Sequence, residues 1–423
     1  MNLIKGEVVS NEILDTYFEC LDEYINETLQ KPLLSSEVVI NACDKFASTL
    51  QDTEVVPILE GLGMSNEMIN DNIKQLRVMF SAEYLRTRLD LEIGSLTIKR
   101  KPMDIEHEVV EQIYPLGVLF HIAAGNMDGL PVLTVIEGLL TGNINLLKLP
   151  SVDGGISIMI LQKLCAIEPI LKDYIYVFEL SSKETMSISK LINLSNAVVV
   201  WGADETVAAI RKITPASIKL IEWGHKLSFA YITKQGMSEE ELEGLAHNIC
   251  STNQLLCSSC QGIFVDTDNE KEAVEFAEMF STILDDVSKG YNDIPLSAKA
   301  QCRLQLYTME LESKNIIYSN DGTSVYCESD SNLTSSIQFR NVWVRCLSKD
   351  KIIANLHKYK GILQTVALLC ANDEKEEISS RLFKAGVVRI TSGKYMSSVY
   401  CGMPHDGEYA LSRYIRRVSM SKD

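Results

Sequence analysis

Gly117-Val118-Leu119-Phe120-His121-Ile122-Ala123-Ala124-Gly125-Asn126-Met127-Asp128-Gly129-Leu130-Pro131 is the stretch on which the fold turns. An apolar run of strand length ends in a glycine-rich polar turn. A helical pattern follows over Leu130 to Leu140, then a second apolar run from Ile144 to Leu149. Strand, turn, helix and strand at this spacing predict a βαβ unit with parallel strands. The pattern continues outward through Ile156 to Ile167, Tyr174 to Leu180 and Ala197 to Trp201. An α/β fold with a Rossmann-type, doubly wound nucleotide-binding domain over 101–224 is the expectation.

Upstream, 1–100 reads as helices with polar connections, because Ile13 to Leu29, Val38 to Leu50 and Met68 to Leu89 carry apolar residues at helical spacing. This part is expected to be a helical lead-in to the cofactor domain. Downstream, apolar runs at Leu227 to Ile232, Gly262 to Val265, Ser324 to Cys327, Val342 to Val344, Gln364 to Leu369 and Val387 to Ile390 predict a second α/β domain over 225–395. Helical stretches at Ser238 to Cys250 and Glu270 to Val287 interrupt them. The remainder, 396–423, is expected to pack back on the core.

The chain has 423 residues, 46% hydrophobic and 23% charged, enough for two or three domains and too apolar for a disordered protein. Its formal charge of -17 argues against nucleic acid as a partner. The start, Met1-Asn2-Leu3-Ile4-Lys5-Gly6-Glu7, lacks the basic-then-apolar order of a secretory signal, and the best apolar stretch, Leu130 to Leu140, is too short for a membrane span and carries Glu137. Eleven irregularly spaced cysteines argue against a disulfide framework and for a reducing, cytoplasmic setting.

Four positions bear on chemistry before the cysteines are weighed. Asn126 lies in a loop at the carboxyl end of a strand, where α/β sheets bind ligands, and either donates to a developing oxyanion or simply supplies the turn. Lys148 ends a strand that should be buried on both faces, so its ammonium emerges at the tip, within reach of a nucleotide or only of solvent. Trp201-Gly202-Ala203-Asp204 gives strand, single-glycine turn and helix, which suits a phosphate at a helix N-terminus but lacks G-x-G-x-x-G. Glu222 precedes a strand at the expected domain boundary. It is either a general base or the partner of Lys226 or Arg211.

The fifth position is Cys257, in Asn253-Gln254-Leu255-Leu256-Cys257-Ser258-Ser259-Cys260-Gln261, a polar turn opening onto a strand. A thiol there is only partly buried, and its thiolate is a carbonyl nucleophile. The competing reading is a small core hydrophobe, as free cysteine usually is.

Taken in order, these pieces resemble the aldehyde dehydrogenase superfamily. Cys257-Ser258-Ser259 with Gln261, Gly224-His225-Lys226-Leu227-Ser228, Gln338-Phe339-Arg340-Asn341-Val342-Trp343-Val344 and Pro404-His405-Asp406-Gly407 are similar, more narrowly, to the LuxC-type fatty acyl-CoA reductases, over roughly 100–420. The resemblance implies an aldehyde dehydrogenase-like fold, a cofactor domain with a second α/β catalytic domain carrying the nucleophile. It implies that Cys257 accepts an acyl group as a thioester, with Asn126 and the Cys257 backbone N–H holding the oxyanion. Glu222 matches the superfamily's general base. Lys148 would contact the adenosine ribose or its phosphate, Gly202 the pyrophosphate, and Trp223 and Gly224 complete the cofactor-binding set.

The implied reaction is reduction of a long-chain acyl-CoA or acyl-protein thioester to the fatty aldehyde, as in luminescence systems. The implied partners are an acyl-protein synthetase and further copies of the chain in a homo-oligomer. Ser151 stands three residues after Lys148, where NAD-using members carry a glutamate, so NADP(H) is expected over NAD(H). Three departures matter. Leu255-Leu256 stand before the cysteine, where relatives are usually more polar. Cys260 replaces a frequent proline and creates Cys257-Ser258-Ser259-Cys260, a possible disulfide; a zinc site is disfavoured because no second ligand pair stands at the right spacing. The superfamily's nicotinamide-ribose glutamate is absent from Gln338-Phe339-Arg340-Asn341. Alternatives are a CoA-acylating dehydrogenase of short aldehydes and a non-catalytic acyl carrier. His405 and Asp406 are expected to cap a helix beginning near Glu408.

Overall fold

The computed structural model describes residues 1–61, 66–94, 97–100, 108–123, 130–150, 153–311, 316–320 and 322–422. Two compact units divide the chain: Met1–Gly224 with Tyr400–Asp423, and His225–Val399. Among the described residues no helix is long and apolar enough to cross a membrane.

In the first unit five parallel strands stand in the order Ile175–Phe178, Ile144–Lys148, Val118–Ile122, Ala197–Trp201, Lys219–Trp223. The first four are buried on both faces, as the apolar runs require of a sheet covered by helices, while the edge strand Lys219–Trp223 is partly exposed. Alternate residues feed two cores. Phe120, Val198 and Val200 face one cluster; Leu119, Val199 and Ile221 face another that is closed by Ala410 and Tyr414 of the returning C-terminal segment. Chain order runs outward from Val118–Ile122 to one side and then resumes on its other side at Ala197–Trp201, which is the topological switch of a doubly wound sheet.

The N-terminal region is helical from Leu14 onward, but Asn2–Ile4 and Glu7–Val9 form an antiparallel hairpin that joins the sheet beside Ile175–Phe178. Each strand is three residues long, too short for a periodicity to show. A separate antiparallel sheet of Ile415–Lys422, Glu108–Pro115 and Thr97–Arg100 gathers strands from distant parts of the chain.

Among the described residues, the second unit holds seven strands ordered Ile316–Ser319, Ser324–Cys327, Asn341–Cys346, Cys260–Val265, Leu227–Ile232, Leu363–Leu369 and Arg389–Thr391. All neighbours pair in parallel except the first two. Gly262 lies directly against the Trp343 ring, where an added Cβ would sit 1.9 Å from ring carbons, so only glycine allows the indole to lie on this strand.

Candidate functional site

Helix Glu239–Thr252 ends at Asn253, whose φ of 46° is left-handed, and Gln254 follows at 61°. Asparagine tolerates this conformation because its short polar side chain bonds locally; for Gln254 it is a strained position. Facing them, Gln338, Phe339 and Arg340 have φ of 64°, 49° and 66°. The two strained segments are bonded to each other. Phe339 N–H donates to the Asn253 carbonyl at 3.0 Å, Arg340 Nε to Asn253 Oδ1 at 3.2 Å, and Asn341 N–H to Gln254 Oε1 at 3.1 Å. The buried Arg340 also donates to the carbonyls of Ser288 and Asn292. This clamp fixes where the chain leaves the helix and therefore where Cys257 is presented.

Cys257 is exposed. Its carbonyl accepts from Ser228 Oγ at 2.7 Å, and the same hydroxyl accepts from Thr365 N–H at 3.0 Å. Ser258 and Asn248 both donate to Ser397 Oγ, and Asn248 Oδ1 receives the Cys260 N–H. Gln364 Nε2 donates to the Cys257 sulfur at 3.4 Å. Leu255 and Leu256 beside it are 48% and 39% exposed, which leaves apolar surface next to the thiol.

All eleven cysteines are thiols. Cys260 differs from Cys257 in kind: it is fully buried, its Sγ donates to the Gly262 carbonyl at 3.3 Å, and burial pushes its pKa up to about 12. A thiol so held is a poor thiolate former.

In the first unit, Lys148, Gly202, Glu222, Trp223 and Gly224 all lie at or just beyond the carboxyl ends of parallel strands. Asn126 and Ser151 lie outside the described residues. Lys148 donates to the Leu149 carbonyl at 3.3 Å; burial holds its pKa below the usual lysine range, and the Glu184 carboxylate acts the other way. Gly202 opens helix Asp204–Ile213, which has Asp204 and Glu205 in its first turn. These carboxylates stabilise the helix dipole but place like charge where a phosphate would approach.

Glu222 is paired bidentately with Arg211 in the last turn of that helix, Nε to Oε1 at 2.9 Å with NH2 on Oε2. Of the two partners considered for it, Arg211 is the one found. Trp223 stacks on Trp201 with ring centroids 5.1 Å apart, and the Arg413 guanidinium lies 4.6 Å from the Trp223 ring centre. His405 stands edge-on to both rings at 4.9 and 5.0 Å. The expected helix cap is thereby corrected. The helix is Ala410–Arg413, its N-cap is Tyr409 without a side-chain bond, and His405 instead exchanges backbone bonds with Glu408 and packs on the tryptophans. Its ring partners come from two strand ends some two hundred positions earlier, which no local pattern reveals.

The switch point is where a doubly wound sheet takes a dinucleotide, and the Lys148 cation suits one while the Asp204 and Glu205 carboxylates do not. The topological switch lies between Val118–Ile122 and Ala197–Trp201, and Lys148 and Gly202 flank it on the neighbouring strand ends. Gln364 is the residue that sequence reasoning missed, since it belongs to an apolar run that reads as core strand.

The model of the family described as acyl-CoA reductase (LuxC) matches residues 33–417. The long-chain acyl-protein thioester reductase of Vibrio harveyi is 23% identical over 351 residues, 81% of this chain and 72% of that protein. Among solved structures, an NAD-dependent benzaldehyde dehydrogenase from Corynebacterium glutamicum superposes with a TM-score of 0.71 at 12% identity, covering 99% of this chain and 91% of that one. The glyceraldehyde-3-phosphate dehydrogenase GapN of Methanocaldococcus jannaschii, complexed with NADP, superposes with a TM-score of 0.71 at 14% identity, covering 98% and 95%. The fold is that of the aldehyde dehydrogenases.

Proposed function

The chain belongs to the acyl-CoA reductase (LuxC) family, and from that premise we propose that it reduces a long-chain fatty acyl thioester to the aldehyde with NADPH, through an acyl group carried on Cys257. The observation that carries the reading is the exposed Cys257 thiol, braced on its carbonyl by Ser228 and on its sulfur by Gln364. The Vibrio harveyi relative is named for an acyl-protein thioester, so the acyl donor is either that or acyl-CoA, with an acyl-protein synthetase as the supplying partner. The exposed Leu255 and Leu256 favour a long chain.

In this mechanism the Cys257 thiolate attacks the thioester carbonyl carbon. The new carbon–sulfur bond forms, the oxyanion collapses, and the donor thiolate leaves and is protonated. Asn126 and the Cys257 N–H are the oxyanion donors, and Glu222, once released from Arg211, is the proton acceptor. The nicotinamide cofactor, when bound, supplies the hydride that reduces the acyl carbon. Cys257 then leaves as the thiolate and the aldehyde is freed. Lys148 holds the ribose end, with Gly202, Trp223 and Gly224 along the cofactor's path.

The preference for NADPH rests on Ser151 in place of a carboxylate and on the Lys148 cation. One observation favours NADH instead: the Glu184 carboxylate acts on Lys148, and negative charge beside that cation would repel a 2′-phosphate. Steady-state reduction of tetradecanoyl-CoA, with aldehyde identified by mass spectrometry and each cofactor titrated separately, tests both. Aldehyde formation that is faster per KM with NADPH and abolished by Cys257→Ala is the expected result. Turnover surviving in Cys257→Ala removes the nucleophile, and a preference for NADH that disappears in Glu184→Gln assigns the second reading.

A further inference from the structure

We infer that the Gln364 carboxamide holds the Cys257 sulfur in its reactive state, donating a hydrogen bond to it before acyl transfer and again as the sulfur leaves the product. The inference rests on Cys257 being the acyl acceptor proposed above. Three observations carry it.

The first is the contact itself, Gln364 Nε2 to Cys257 Sγ at 3.4 Å, made by a side chain only 7% exposed. The second is the setting. Gln364 lies in a strand, Leu363–Leu369, buried at every position. A buried carboxamide is destabilising unless its polar atoms are engaged, and the sulfur engages its Nε2, so packing alone does not account for it.

The third is the backbone. Leu227 pairs with Leu363 but Phe229 with Val366, so two steps on one strand meet three on the other, and the extra residue falls at Gln364-Thr365. On the opposite side Ser228 pairs with Cys260 and Ala230 with Ile263, which puts a matching irregularity at Gln261-Gly262. Both flanking strands are thus bulged at the level of Ser228. Bulges re-aim side chains beside active sites, and this pair turns Gln364 to the sulfur and Gln261 to Ser336 and the Gln254 carbonyl. The Ser228 hydroxyl locks the register, since it bonds both the Cys257 carbonyl and the N–H of Thr365, the residue after Gln364.

A hydrogen bond to an ionised acceptor is roughly twice as strong as one to a neutral acceptor. The carboxamide therefore favours thiolate over thiol. When the sulfur attacks, its electron pair goes into the bond to the acyl carbon and the hydrogen bond weakens. When that carbon–sulfur bond breaks after hydride transfer, the pair returns to sulfur and the bond is regained. Gln364 thus assists both the formation of the nucleophile and the departure of the product, and does not stabilise the acyl-enzyme between them.

Two variants test this in the full chain. Gln364→Met keeps length and removes the donor; Gln364→Glu keeps shape and sets a carboxylate beside the sulfur. The readout is the rate of Cys257 alkylation by iodoacetamide across a pH series, followed at the Cys257 peptide by mass spectrometry. The pH of half-maximal rate should rise by about one unit in Gln364→Met and further in Gln364→Glu. If Gln364→Met does not fold, the Gln364→Glu profile decides. Profiles that coincide with the parent protein in the folded variants overturn the inference. Alkylation needs neither acyl donor nor cofactor, so this outcome is read independently of whether Cys257 carries an acyl group, which acyl-adduct mass measures separately.

Discussion

Gly262 shows how much a single position decides in the strand Cys260–Val265. It gives Trp343 its seat, and Trp343 in turn packs against Phe264 and lies under the Arg345 guanidinium. Gly262→Ala should destabilise the second unit by about 1–3 kcal/mol, the usual range for overpacking, measured by urea unfolding. An unchanged midpoint would mean that the indole has room to move. The sequence singles out Cys257 at this scale because a thiol at the mouth of an apolar run has a chemical signature of its own, and the structure leaves that thiol exposed. The role of Gln364 is not visible there, because Gln364 to Leu369 reads as core and only the pairing of three strands shows that one of its residues is re-aimed. The Arg211 contact of Glu222 was one of two alternatives that charge left open, and the geometry of helix Asp204–Ile213 selects it.

At the scale of elements, the turn that presents Cys257 is held by strain in two segments that neutralise each other's unpaired groups. Five residues with positive φ, none of them glycine, persist because the clamp around Arg340 over-determines them. Arg340→Ala removes three hydrogen bonds made by a buried guanidinium and leaves Asn253 Oδ1 and the Ser288 and Asn292 carbonyls without them. It should lower stability by about 1–3 kcal/mol and slow acylation of Cys257, read by urea unfolding and by acyl-adduct formation over time. Stability loss without a slower acylation would show that the clamp serves folding alone. The parallel strands and their helices were readable from periodicity. The hairpin Asn2–Ile4/Glu7–Val9 and the pairing of Ile415–Lys422 with Glu108–Pro115 were not, the first for shortness and the second because its partners are about three hundred positions apart.

At the scale of the whole first unit, a buried polar chain ties the sheet to the returning C-terminus. Asn145 is oriented by donating to the Asn143 and Tyr174 carbonyls, so its Oδ1 faces His121 and accepts from Nε2 at 3.0 Å. Nδ1 is then the acceptor for Thr134 at 2.8 Å. Tyr414 lies 3.3 Å from Thr134 and donates to Glu137, which Arg88 joins to Glu92. His121 is fully buried, and burial lowers its pKa from 6.5 to about 4 despite the Asn145 bond. Below pH 6.5 the unfolded chain binds a proton that the folded chain refuses, so stability falls as pH drops from about 6.5 towards about 4 and is retained above that window. The loss should total on the order of 3 kcal/mol, seen in urea unfolding at stepped pH. His121→Gln should flatten the slope between pH ~6.5 and ~5, where carboxylates contribute least; an unaltered slope would place the acid sensitivity elsewhere.

Intact mass of the protein after incubation with tetradecanoyl-CoA, before and after adding NADPH, tests the central claim most directly. The account predicts an acyl adduct that is absent in Cys257→Ala and is discharged by NADPH as aldehyde appears. An adduct that forms without Cys257, or one on Cys257 that NADPH leaves in place, would contradict it.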